Sequence, residues 1–384
     1  MAQLSGYVAE HSAYHHGEQS LSSTIIGLAQ NFVGANNLNL LEPVGQFGTR
    51  LQGGKDSASP RYVFTHLSSI ARRVFHPADD NIVKYLNDDG QSIEPEWYIP
   101  VVPLSLINGC EGIGTGWSTS IPNYNPRDLV ENLRRKLRGE PFQKMHPWYR
   151  GFTGTIEPVG EDKYKISGTI RQVDATTIEI TELPVQTWTQ NYKEFLEDLL
   201  MSTDKKPAFI KDYKEYHTDT TVHFQVTLSE QNMAKALEEG LEKTFKMSTT
   251  KATSNMVLFD RDNRLRKYGS VDEILEDFYD LRIECYHKRK NYLTDHLSQE
   301  WSKLDNKVRF VLAIVEGKLS VHNRKKADII EDLKLRGFTP FAKGKSSENE
   351  NNQQENDIIV KADYDYLLSM PIYTLTQEKV CIRK

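Results

Sequence analysis

The sequence predicts an α+β protein, and three observations carry that reading. Beyond Thr153, apolar and polar residues alternate in short segments (TGTIEPV, YKISGTIRQV, TIEITEL, VHFQVTL), the period of half-buried antiparallel strands. From Leu293, apolar residues recur at Leu297, Trp301, Leu304, Val308, Val311, Val315 and Leu319, steps of three and four that make a sustained helical seam. The first 150 residues mix helical periodicity with stretches of Asn, Gly, Pro and Ser. A length of 384 residues leaves room for roughly two or three domains, each with its own core.

Residues 7–33 carry Leu21, Ile25, Leu28, Ala29 and Phe32 on one helical face, with Gly17 as an interruption and Gly34 as the expected C-cap. Residues 36–59 read as loops and short strands. Residues 61–75 read as helix through Val63, Leu67, Ile70, Ala71 and Val74. Two prolines in YIPVVPLSLING disfavour helix, a glycine-rich turn follows, and Pro126 opens a helix over 126–138. Helical pieces are expected at 192–201 and 230–240, and the seam predicts a long helix packed on another helix. Residues 342–363, rich in Asn, Gln and Glu, read as a disordered insertion. Both ends of the sequence are abrupt, as in a piece of something longer.

No apolar run approaches the ~20 residues of a bilayer span, and the N-terminus lacks the pattern of a signal peptide. Cys110, Cys285 and Cys381 are far apart, which argues against a disulfide framework or clustered metal site and fits a reducing compartment. A net charge of −5 argues against a nucleic-acid partner when taken over the whole chain. Locally the balance differs. Arg50, Lys55, Arg61, Arg72 and Arg73 face a single acid, Asp56, over residues 50–73, a net +4; residues 79–96 then carry −5. Gly48, Gly53 and Gly54 accompany the basic residues and let a backbone approach phosphates. The alternative is a pair of ordinary solvated faces.

Inside the basic stretch lies Ser59-Pro60-Arg61-Tyr62. A phenolic oxygen with pKa near ~10 is a poor nucleophile unless cations stabilise the phenolate, and an adjacent Arg and a nearby His can do so. Tyr14-His15-His16-Gly17-Glu18 is a weak metal pattern, with neither HExxH nor a partnered Cys; histidines at a helix start that meets an anion are the better functional reading. Gly112-Ile113-Gly114-Thr115-Gly116-Trp117 lacks the third glycine of a dinucleotide loop. In Gly53-Gly54-Lys55-Asp56, an Asp stands where a phosphate loop needs Ser or Thr, so no ATP site is visible. An exposed Ile between glycines suits another task, wedging between base pairs to kink DNA.

Four runs, AYHHGEQSLSSTIIGLAQNFVGANN, FGTRLQGGKDSASPRYVFT, IEPEWYIPVVPLSLINGCEGIGTGWST and ITELPVQTWTQNYKEFL, resemble the breakage-reunion core of eukaryotic type IIA DNA topoisomerases, from about residue 3 to the chain's end. The resemblance implies that Tyr62 is the nucleophile forming a 5′-phosphotyrosyl link, with Arg61 and His16 beside it as catalytic groups. It places Ile113 as the intercalating residue and Tyr14 and Trp188 as DNA contacts; His15, Arg50 and Lys55 are candidate contacts on the same surface. It further implies a winged-helix domain at 1–145, a tower domain at 146–270, and a coiled coil leading to a C-terminal dimer gate at 271–341 and 364–384, with the returning helix missing. Double-stranded DNA, a homodimer and a nuclear location are implied as well. Mg²⁺ and ATP are expected only in the complete enzyme, whose metal-binding and ATPase domains this sequence lacks. No metal ligand is assigned here, and a chain of this extent alone is expected to bind DNA poorly and not to cleave it. A non-catalytic DNA-binding or dimerisation piece of the same scaffold is the alternative; a bacterial-type enzyme fits the quoted runs less well.

Overall fold

The computed structural model describes residues 1–202, 207–342 and 362–371. They form a mixed α+β fold that divides into two compact units, residues 1–83 with 94–284, and residues 84–93 with 285–384.

The first unit opens with α1 (Ala2–His11) and α2 (Glu18–Ala29). Gly17 separates them as the extended N-cap of α2, so the expected interruption is a complete break. α2 stops at Ala29, short of the expected cap at Gly34. Gln30 turns extended there and donates its side-chain amide to the carbonyls of Phe47 (2.9 Å) and Gly54 (3.1 Å).

The helix expected over 61–75 is not formed. A 3₁₀ turn covers Pro60–Tyr62, residues 64–68 pair antiparallel with 40–44, and only α3 (Ala71–Val74) is α-helical. Val63, Phe64 and Thr65 are β-branched or aromatic, and the partner strand offers them a ladder: Glu42 and Val44 donate their amides to the carbonyls of His66 and Phe64, at 2.9 and 3.1 Å.

The hairpin β1 (Tyr85–Asp88) and β2 (Gln91–Pro95) follows in the chain, most of it grouped with the second unit, and the first unit continues with α4 (Leu104–Ile107). The hairpin β3 (Cys110–Ile113) and β4 (Ser118–Ile121) comes next. α5 (Pro126–Leu137) is capped by the Asn125 side chain, which accepts from the amide of Arg127 at 3.0 Å.

The four alternating segments beyond Thr153 are strands as expected, and two strands the sequence did not mark, at 210–215 and 248–252, complete two antiparallel sheets. β5 (Thr155–Pro158) and β6 (Lys163–Ser167) join β11 (Ser248–Ala252) in the order β11-β6-β5. β7 (Thr169–Gln172), β8 (Thr177–Glu182), β9 (Ile210–Glu215) and β10 (Phe224–Leu228) form the order β7-β8-β10-β9. On the second sheet lie α6 (Thr189–Leu200) and α7 (Glu230–Glu239), followed by the short α8 (Leu241–Thr244). Ile178, Ile180, Phe224 and Val226 meet Tyr192, Leu196 and Met233 in the largest core.

A second core joins Leu106, Ile107, Ile121, Tyr124 and Leu129 to Met256 of β12 (Met256–Phe259), Tyr268 of β13 (Leu265–Tyr268) and Leu275 of α9 (Val271–Val315). Asn37 is buried and ties the segments around this core. Its amide reaches the carbonyls of Ile107 (2.9 Å), Tyr124 (3.2 Å) and Trp148 (3.0 Å), and its oxygen accepts from the amide of Arg150 at 2.9 Å.

The 45-residue α9 is the long helix that the seam predicts. Its last seam position lies outside the helix, because α9 ends at Val315 and Leu319 folds back, its amide bonded to the carbonyl of Ala313 at 2.9 Å. In the second unit Phe310 and Leu319 pack with Ile329 and Leu333 of α10 (Lys326–Leu335), while Leu297, Trp301 and Leu304 are exposed. Residues 343–361 of the expected disordered insertion lie outside the described residues. Its margins are strands: β14 (Phe341–Ala342) pairs with β15 (Ala362–Asp363), ahead of α11 (Asp365–Leu368). The expected end of the C-terminal segment, 372–384, is likewise outside them. Among the described residues no helix is long and apolar enough to cross a membrane.

Candidate nucleic-acid interface

Tyr62 ends the Pro60–Tyr62 turn, its amide donating to the carbonyl of Ser59 at 2.9 Å. The next residue, Val63, is extended and only 1% exposed, locked among Ile26, Ala29 and Phe47. Tyr62, at the end of the turn, faces outward and is 72% exposed. Arg61 is exposed on the same turn.

The loop before this turn is held from inside. Asp56, the one acid of the basic stretch, accepts from the Thr49 amide (2.9 Å) and hydroxyl (2.6 Å). Gly53 and Gly54 lie in the left-handed region, at φ +62° and +82°. A Cβ at Gly53 would fall 2.4 Å from the Trp188 ring, and one at Gly54 2.3 Å from the Gln30 amide. Glycine is therefore required twice, by conformation and by space. Trp188 is half-buried in this packing, edge-on to Phe32 at 5.8 Å. The start of α6 is bonded to the same loop: the amides of Thr189 and Gln190 donate to the carbonyls of Arg50 (3.3 Å) and Leu51 (2.9 Å).

Arg50 is the correction. Expected on the DNA surface, it is 5% exposed and pairs at 2.5 Å with Glu182, a carboxylate that also accepts from Thr153 and from the amide of Leu183. The bonds satisfy a buried charge whose desolvation would otherwise be costly, and they withdraw Arg50 from solvent. Arg72 is engaged too, by Asp80 at 2.6 Å, and Asp79 of the acidic stretch pairs with buried Arg282 at 2.7 Å. Among the described residues Lys55, Arg61 and Arg73 make no ion pair. The +4 segment thus presents three free cations.

Tyr14, His15 and His16 lie together in the link between α1 and α2, with His16 5.5 Å edge-on to Tyr14 and 4.4 Å from His15, ring to ring. Both histidines are exposed, just ahead of the N-terminus of α2, where unpaired amides and the helix dipole favour an anion. Ile113 lies elsewhere in the unit, at the end of β3, where Gly114 and Trp117 close the hairpin tip at 2.8 Å. It is 96% exposed, the most exposed large apolar side chain among the described residues. Sequence reasoning missed Glu182 and Asn37, whose polar partners come largely from residues far away in the chain.

Among the described residues no group of three or more His, Cys, Asp or Glu is placed to hold a metal. Asp56 and Asp80 are already committed to Thr49 and Arg72. The donor set does not fit a divalent cation beside Tyr62.

The first unit thus carries an outward tyrosine with an adjacent exposed arginine on a mixed α+β scaffold. The model of the DNA gyrase/topoisomerase IV A-subunit family matches residues 1–382, and the chain belongs to that family. It is 52% identical over 395 residues to DNA topoisomerase 2-beta of Mus musculus, and 50% identical over 391 residues to DNA topoisomerase 2 of Penicillium chrysogenum. Each match covers 99% of this chain and 24% of the relative, so the chain spans about a quarter of the relatives' length. The structure resembles the solved topoisomerase II DNA-binding, cleavage and re-ligation domain of Plasmodium falciparum, with a TM-score of 0.88 and 48% identity, over all of this chain and 53% of that one.

Proposed function

We propose that the chain is the strand-cleaving segment of an ATP-dependent type II DNA topoisomerase that relaxes or decatenates DNA, with Tyr62 as nucleophile. The observation that carries this is the Arg61-Tyr62 turn, which presents the phenol outward with the guanidinium of Arg61 exposed and outside any ion pair among the described residues. The Tyr62 oxygen gives up its phenolic proton to solvent and attacks a backbone phosphorus, forming a P–O bond while the bond to the sugar 3′ oxygen breaks and that oxygen takes a proton from solvent to leave as a hydroxyl. The 5′ phosphate is left on the tyrosine. Arg61 stabilises the charge that develops on the phosphoryl oxygens, and His16, with the N-terminus of α2, supports the same anion. One phosphodiester replaces another, so the 3′ hydroxyl reseals the strand without ATP at that step. Lys55, His15, Tyr14 and Trp188 contact the duplex, and Ile113 wedges between base pairs.

The same reading makes residues 1–145 a winged-helix domain, 146–270 a tower, and α9 with the segments 271–341 and 364–384 the route to a dimer gate in a nuclear homodimer. Two copies of Tyr62 cut opposite strands and a second duplex passes through. Magnesium and ATP are bound by other segments of the enzyme. The test fuses the chain to a topoisomerase II metal-binding module, adds magnesium and supercoiled plasmid, and traps with denaturant. Protein-linked DNA that disappears in Tyr62→Phe and falls by about 10²–10³ in Arg61→Ala is expected. Linkage that persists in Tyr62→Phe would refute the assignment.

A further inference from the structure

The hairpin that carries Ile113 is a two-stranded ribbon, an arrangement that is marginal on its own and must borrow rigidity. β4 does so through its neighbours: Ser120 donates its amide to the carbonyl of Asn255 (2.8 Å), Asn255 bonds the Ser118 hydroxyl (2.9 Å), and the Val257 amide bonds the Thr119 hydroxyl (3.1 Å). Among the described residues β3, the strand bearing Ile113, pairs only with β4. Its side-chain polar ties, among the described residues, all come from Glu111. That carboxylate pairs with Lys251 of β11, a lysine whose stem and ammonium are largely buried, and meets the Gln186 amide and the Ser120 hydroxyl, each at 3.4 Å.

Glu111 and Ile113 are two residues apart on one strand and so project from the same face, roughly 7 Å from each other. A load on Ile113 along that face is met by Glu111. Gln186 stands two residues before Trp188, in a turn strained enough to hold Gln186 at φ +67°.

We propose that Glu111 is the positioning residue that braces the Ile113 wedge against β11 and couples it to the Trp188 turn, so that the Glu111–Lys251 pair sets how far the protein bends bound DNA. The proposal rests on the reading of Ile113 as an intercalating wedge. It assigns to Glu111 no contact with DNA.

The test measures end-to-end energy transfer in a doubly labelled duplex bound to the chain fused to its metal-binding module, at fixed salt. Glu111→Gln and Lys251→Met are each expected to lower the ratio of bent to straight complexes roughly fivefold, and by more than they lower overall affinity. The double variant should add little to either single one, and the exchange Glu111→Lys with Lys251→Glu should restore most of the bending. Ile113→Ala should abolish it. Normal bending in Glu111→Gln alongside lost bending in Ile113→Ala overturns the brace and leaves the wedge standing. Normal bending in Ile113→Ala overturns the wedge, and the brace with it.

Discussion

The guanidinium of Arg50 lies 2.5 Å from the carboxylate of Glu182, and both side chains are buried. The pair joins the basic loop before Tyr62 to the end of β8, 132 residues further along the chain. The bonds from Thr189 and Gln190 to the carbonyls of Arg50 and Leu51 make the same connection through the backbone. Residues 182–190 therefore act as a strut beneath the surface that presents Tyr62.

Breaking a buried pair by removing one charge typically costs about 3–5 kcal/mol, because the other charge is left uncompensated. Glu182→Gln should lower the urea midpoint accordingly, and Arg50→Met combined with Glu182→Leu should recover part of the loss. An Arg50 that served DNA directly would behave otherwise. Arg50→Met would then reduce the salt slope of DNA binding by about 1 with little change in the urea midpoint.

Gly53→Ala is expected to destabilise the protein by roughly 2–4 kcal/mol, combining overpacking against Trp188 with a left-handed backbone that a Cβ strains. Pairing it with Trp188→Ala opens the space and should return the overpacking share. Equal losses in the two backgrounds, read by chemical denaturation, would show that the ring does not fill the space above Gly53.

How much of this was legible depends on how far away the deciding partner lies. The four alternating segments beyond Thr153 and the 45-residue α9 are written in local periodicity, whereas the strands at 210–215 and 248–252 are not. Residues 61–75 satisfy helical spacing equally well. What overrides it is the ladder that residues 64–68 make with 40–44, a partner some two dozen residues upstream. The same holds for charge. Arg50 and Arg72 look identical to Lys55 and Arg61 in the sequence, yet Glu182 and Asp80 remove the first two from the binding surface. Asn37 had no local signature at all, since its four partners belong to segments 70 or more residues away. Tyr62 stands out locally only as a tyrosine beside Arg61 in a basic stretch; its role as nucleophile came from the resemblance of the quoted runs, and its exposure is seen only in the fold.

Alkaline stability should report the buried Tyr149. Burial pushes its hydroxyl from 10 up to about 12, an effect its hydrogen bond at the Asn123 backbone only tempers. The unfolded chain therefore loses this proton first. The stability contributed by the neutral hydroxyl is complete below pH 10 and falls by about 1.4 kcal/mol per pH unit as the pH rises from 10 toward 12. Tyr149→Phe, with no proton to lose, should show a shallower fall in unfolding free energy across that window. Parallel curves would mean that the hydroxyl titrates alike in both states.

The most direct test of the central claim is to locate the covalent link. DNA trapped on the chain fused to its metal-binding module is digested with nuclease, and the adducted residue is identified by mass spectrometry of the peptides. A 5′-phosphoryl nucleotide on Tyr62, with no adduct in Tyr62→Phe, is the predicted result. A nucleotide carried by any other residue, or joined through its 3′ phosphate, would contradict it.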